Sequence, residues 1–65
     1  MIEVGKLYKV KGNFLISVRE NEIILILQNL ISQNDIDSFR YVKFLHRNKI
    51  YSFGTYEPEL YFEDL

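Results

Sequence analysis

Apolar and polar positions alternate in short runs along this chain, and turn residues separate the runs. Leu7-Tyr8-Lys9-Val10 is the first alternation, entered through Gly5 and left through Lys11-Gly12-Asn13. A period of two bounded by glycine and asparagine predicts a half-buried strand. Phe14 to Val18 reads as a second short strand, and Arg19-Glu20-Asn21-Glu22 as a polar tip. From Ile23 to Ile31 only Gln28 and Asn29 are polar. A helix would fit that length, but isoleucines stiff at χ1 and polar breaks on both sides favour a strand. Its apolar continuity predicts the most buried element of the fold.

Ser32 to Ser38 is the longest polar stretch and reads as a loop with room for one helical turn. Two β-forming runs follow, Tyr41 to His46 and Ile50 to Tyr56, separated by Arg47-Asn48-Lys49. Asn48 tolerates the positive φ of a tight turn, so the pair predicts a hairpin. Centred on Arg47-Asn48, the turn pairs Leu45 with Ile50, Phe44 with Tyr51 and Val42 with Phe53. Centred on Asn48-Lys49, it pairs Phe44 with Phe53. Either register puts Val42, Phe44, Tyr51 and Phe53 on one face, the expected core.

Gly54 marks an expected bulge or bend. Pro58 cannot donate to a ladder, so Glu57-Pro58-Glu59-Leu60 leaves the hairpin as a turn or short 3-10 segment. Tyr61-Phe62-Glu63-Asp64-Leu65 then returns apolar groups to the body, with Leu60 and Phe62 sealing one end. The fold class is all-β: a small barrel of four to five short antiparallel strands with a short 3-10 turn near the C-terminus. Closure is expected because it removes unpaired edges.

The opening Val4-Gly5-Lys6-Leu7-Tyr8-Lys9-Val10 is similar to the V-G-x-L-V-x-V first strand common in small SH3-like barrels. The apolar central strand, the hairpin and the short turn before Tyr61 follow in the order of such domains. The chain resembles the small SH3-like barrel proteins encoded by tailed bacteriophages. It departs from peptide-binding SH3 domains in having no Trp and no acidic loop between the first two strands, so proline-peptide recognition is not carried over. What the resemblance implies is a barrel used as an interaction platform.

Composition agrees with a folded chain. In 65 residues, ten aromatics and twenty Ile, Leu and Val suffice for a core, and they allow one domain, 1–65. A chain of this size buries only about 60% of its unfolded surface. Without Cys it has no disulfide or thiolate–metal site to reinforce it, which leaves self-association or docking on a partner. Ile, Asn, Lys, Tyr, Phe and Met supply 29 residues while Ala is absent, the codon bias of an AT-rich genome such as many bacteriophages have. The longest apolar run, Ile23 to Leu27, falls short of the roughly 20 residues that span a bilayer. The N-terminus lacks a basic stretch followed by an apolar one, so the expected location is the cytoplasm, a host's if phage-encoded.

Little of the chain points to catalysis. There is no Cys and no Gly-x-Ser-x-Gly elbow. His46 is the only histidine and, near a hairpin tip, reads as a solvated side chain. Asp35 and Asp37 sit two apart in the polar loop without a calcium-loop pattern around them. No Gly-rich phosphate loop is present. The expectation is a non-enzymatic protein without cofactor or metal.

Charge is uneven. Residues 1–49 carry a net +3 and residues 50–65 a net −4. Lys43, Arg47 and Lys49 cluster on the hairpin, interleaved with Tyr41 and Tyr51; Tyr56, Glu57 and Glu59 form an acidic, aromatic stretch beyond it. These eight residues are the candidate partner-binding surface, because tyrosines favour interfaces and complementary charge selects partners. The favoured partner is a host protein or an assembly neighbour. Opposite charge at two places also invites a homo-oligomer. The alternatives are a nucleic-acid-binding barrel using hairpin 40–51, where cations and aromatics would neutralise phosphate and stack bases, and a small virion structural component.

Overall fold

A computed structural model of the chain describes residues 2–31 and 39–65. The loop Ser32–Ser38, with Asp35 and Asp37, lies outside the described residues. The described residues form five strands: β1 Leu7–Val10, β2 Ile23–Ile31, β3 Arg40–His46, β4 Lys49–Thr55 and β5 Phe62–Asp64. A 3-10 turn, Pro58–Leu60, precedes β5. The protein is all-β. Every pairing is antiparallel, in one sheet of order β4-β3-β2-β1-β5.

The β3–β4 hairpin adopts the register centred on Arg47-Asn48: Leu45 faces Ile50, Phe44 faces Tyr51 and Val42 faces Phe53. Both turn residues have positive φ, 50° at Arg47 and 66° at Asn48. That is the mirror-image turn whose twist suits a hairpin. Val42 and Phe44 are fully buried, and Tyr51 and Phe53 pack against them.

The sheet is open by hydrogen bonding, since β4 and β5 stand at its two ends without pairing. It curls instead, and side chains make the closure. Phe62 of β5 lies 5.6 Å from the Phe44 ring and 5.9 Å from that of Phe53. Around this seam lie the buried Ile2, Tyr8, Val10, Val18, Ile24, Ile26, Val42, Phe44 and Phe62. The Tyr8 hydroxyl accepts the Glu3 N–H at 2.8 Å, which gives its polar end a partner inside the core.

Several elements differ from expectation, each for a local reason. Phe14–Val18 is not a strand; Leu15 and Val18 form an isolated bridge around a turn at Ile16-Ser17. The segment acts through its side chains, Phe14 packing on Tyr61 at 4.7 Å and Phe53 at 5.1 Å. Its loop is closed by Asn21 N–H donating to the Val10 carbonyl and Val10 N–H to that of Glu22.

β2 is not the most buried element. Ile24 and Ile26 are buried, but Ile23, Leu30 and Ile31 are exposed, whereas β3 buries Val42, Phe44 and His46. A single curled layer has only one inside, so a strand apolar on both faces must display one of them. The sheet's irregularity sits in β2 as well. Between Ile26 and Gln28 the register with β3 slips by one residue, a bulge at Leu27.

Gly54 carries no bulge; it stays in register opposite Tyr41. Its missing side chain leaves room for the Phe39 ring, which a Cβ there would strike. Leu60 does not seal an end. It is exposed, and Pro58 is the buried residue of the 3-10 turn.

Candidate interaction surface

Strand alternation sorts the surface. Tyr8 and Val10, Ile24 and Ile26, Phe44 and His46, with Tyr51, point inward. Their neighbours Leu7, Leu25, Leu45 and Ile50 therefore point outward. The register lines these four up: Leu7 faces Leu25, Leu25 faces Leu45 and Leu45 faces Ile50. Three inter-strand spacings make a row about 15 Å long across four strands. Leu7 is 48% exposed and Ile50 63%, and Ile23 extends the row along β2 with 46% exposed. Together these side chains make a contiguous apolar stripe on the outer face.

Beyond the Leu27 bulge a second patch lies on the outer face. Leu30 faces Tyr41, and Tyr41 faces Gly54. Phe39 fills the space over Gly54 and meets Tyr41 edge-on at 5.2 Å and Tyr56 at 4.8 Å.

Seven of the eight candidate residues fall at three places along the hairpin and just beyond it. Tyr41 and Tyr56 join through Phe39 on the outer face, with Lys43 between Gln28 and Ser52 in register. Arg47 and Lys49 are exposed at the tip. Glu57 and Glu59 are exposed at the far end, where the Glu57 N–H donates to Thr55 Oγ1 at 3.2 Å. Tyr51 is set apart: it faces inward and stacks on Phe44 at 5.4 Å and 16°. The structure adds Leu7, Leu25, Leu45, Ile50 and Phe39. The outward leucines had one sequence signal, the continuous apolar run of β2, which a one-layer fold cannot bury on both sides.

The basic residues do not form one field. Arg47 Nη2 contacts Glu22 Oε2 at 2.8 Å, Lys9 contacts Glu63 at 3.0 Å and Lys6 contacts Asp64 at 3.2 Å. Lys43 projects from the outer face, whereas Lys49 alternates with the outward Ile50 and lies on the opposite face. Positive charge therefore reaches the surface at separate places rather than along one groove.

His46 is not solvated but 4% exposed. It shares the inner face with Val42 and Phe44, and the tight turn brings Glu22 and Tyr51 around it. Its Nε2 lies 3.2 Å from Glu22 Oε2 without hydrogen-bond alignment. Glu22 Oε1 accepts the Arg19 N–H at 2.8 Å. That bond first, then His46 and Arg47, hold the Glu22 carboxyl below its ordinary value of 4.5. A depressed carboxyl stabilises the fold above its unfolded value and loses that contribution as pH falls through the folded one. Urea midpoints measured from about pH 6 to about pH 3 should therefore fall less steeply for Glu22→Gln than for the parent. Parallel curves would remove Glu22 from the acid response. Two open depressions adjoin this cluster. One, of about 440 Å³, is lined by Asn13, Phe14, Leu15, Ile16 and Arg19, and the other, of about 400 Å³, by Ile16, Ser17, Arg19, Glu22 and Arg47.

Among the described residues no three His, Cys, Asp or Glu side chains are grouped to hold a metal, and no helix is long and apolar enough to cross a membrane. Comparison of the chain with family models, with curated proteins and with solved structures finds no match.

Proposed function

We propose that this chain is a non-enzymatic protein–protein interaction module, an SH3-like barrel of the kind encoded by tailed bacteriophages, acting on a host protein or as part of a larger assembly in the cytoplasm. The observation that carries the reading is the outward row Leu7, Leu25, Leu45 and Ile50 with Ile23 beside it. A 65-residue chain that leaves this much apolar surface in water gives up stability it can hardly spare. A protein partner that covers the row recovers that burial. The five-strand order with a 3-10 turn before the last strand supports the SH3-like assignment.

The test is capture from host lysate, with nuclease added, by the parent and by a Leu7→Glu, Ile23→Lys double variant. Both substitutions fall on partly exposed outer-face positions, so circular dichroism should report an intact fold. The parent should retain a defined protein after nuclease and the variant should lose it. Equal retention by both would overturn the outer face as the contact surface. Loss of all bound material on nuclease treatment would transfer the function to nucleic acid.

A further inference from the structure

We infer that the free edge of β4 is a second binding surface whose occupant is another copy of this chain, paired antiparallel through β4 about a two-fold axis at Ser52. This surface shares only Ile50 with the outward row Leu7, Leu25, Leu45 and Ile50. In a two-residue hairpin the residues flanking the turn exchange both backbone bonds, and every second pair after them does the same. Lys49, Tyr51, Phe53 and Thr55 therefore bond to β3, leaving the N–H and C=O groups of Ile50, Ser52 and Gly54 directed away from it. Nothing in the sheet pairs with that side of β4.

The two edges of the sheet are not equally protected. β5 is three residues long, and two of them are acids in ion pairs with Lys6 and Lys9. Short length and charge are the usual guards of an edge. β4 has seven residues, Lys-Ile-Tyr-Ser-Phe-Gly-Thr, with a single charge at its first position and no proline. It is a β-rich edge with no guard of its own.

Geometry and charge select the second copy. Only a two-fold at Ser52 lets all three outward residues of each strand bond, Ile50 to Gly54, Ser52 to Ser52 and Gly54 to Ile50. In that register Ile50 arrives opposite the residue that has no side chain, where Phe39 already fills the gap. An aliphatic side chain thus meets an aromatic ring across the junction. Continuing the same register past the strands places Arg47 opposite Glu57 of the second copy, and the symmetry makes that contact twice. Both β4 edges are consumed, and the edges left over are the guarded β5 strands, so assembly stops at two.

Sedimentation equilibrium tests the pairing, with hydrogen exchange followed residue by residue. The parent should reach twice its 7.8 kDa mass as concentration rises, and the Ile50, Ser52 and Gly54 amides should become protected in step. Arg47→Glu and Glu57→Arg should each raise the dissociation constant at least about tenfold, because each sets like charges opposite one another. Mixing these two variants should restore a heterodimer, in which both contacts again join Glu to Arg. Glu57→Arg leaves the Arg47–Glu22 contact in place, so weakened pairing in that variant is not a folding defect. A parent that stays monomeric at the highest attainable concentration overturns the inference. So does a dimer whose three edge amides remain unprotected, or a mixture that remains monomeric. The Leu7→Glu, Ile23→Lys variant should dimerise like the parent, which keeps failure of this inference separate from failure of the outer-face reading.

Discussion

A Phe44→Ala chain should be largely unfolded at 25 °C. Phe44 is fully buried and its ring meets those of Tyr51, Phe53 and Phe62, three residues contributed by the two ends of the sheet. Emptying such a site costs about 3–5 kcal/mol. At about 0.05–0.15 kcal/mol per residue, the whole chain holds roughly 3–10 kcal/mol. The loss therefore matches the lower half of the total. Far-UV circular dichroism against temperature should show no cooperative transition for Phe44→Ala, whereas Phe44→Leu, which keeps most of the volume, should still melt cooperatively. A full transition in the alanine variant within a few degrees of the parent's would mean that the seam does not depend on this ring.

Ending the chain at Tyr61 should be as damaging, by a different route. That cut removes the buried Phe62, the whole β1–β5 ladder and the acids that pair with Lys6 and Lys9. Tyr8 and Val10, both buried, lose the strand beside them, and Lys11 keeps only a frayed Tyr61 carbonyl to bond. Removing Leu65 alone should shift stability by less than about 0.5 kcal/mol, because that side chain is exposed. Urea titrations of the two truncations should therefore separate cleanly. Similar midpoints for both would show that the first four strands fold without the fifth.

Much of the fold can be read from the residues, because local rules decide it. The hairpin and its buried face follow from Asn48, which tolerates positive φ in either register, while the structure selects Arg47 rather than Lys49 to share the turn. Pro58 stops β4 and starts the 3-10 turn because it has no N–H to give to a ladder. What stays hidden are matters of the third dimension. Phe14 to Val18 has the composition of a strand, but β1, which it follows, is already paired on both sides by β2 and β5, and a turn at Ile16-Ser17 folds the segment back on itself. His46 is polar and near a turn, yet its parity with Val42 and Phe44 sends it inward. Gly54 reads as a bend because a missing side chain is ambiguous in one dimension, and only the fold shows that Phe39 occupies the space. The candidate surface was half legible for the same reason. Charge and tyrosine content mark the hairpin, but the row of leucines exists only once four strands are laid side by side.

The pairing of the first strand with the last sets a schedule as well as a shape. Val10 and Phe62 are register partners 52 positions apart in the chain. At about 5–20 residues per second, a ribosome needs roughly 3–10 s to make the second after the first. Throughout that interval Tyr8 and Val10 wait without the strand that flanks them, and β4 is complete before β5 exists. Anything that slows translation between Val10 and Phe62 therefore prolongs the time for which the first strand stands without its cover.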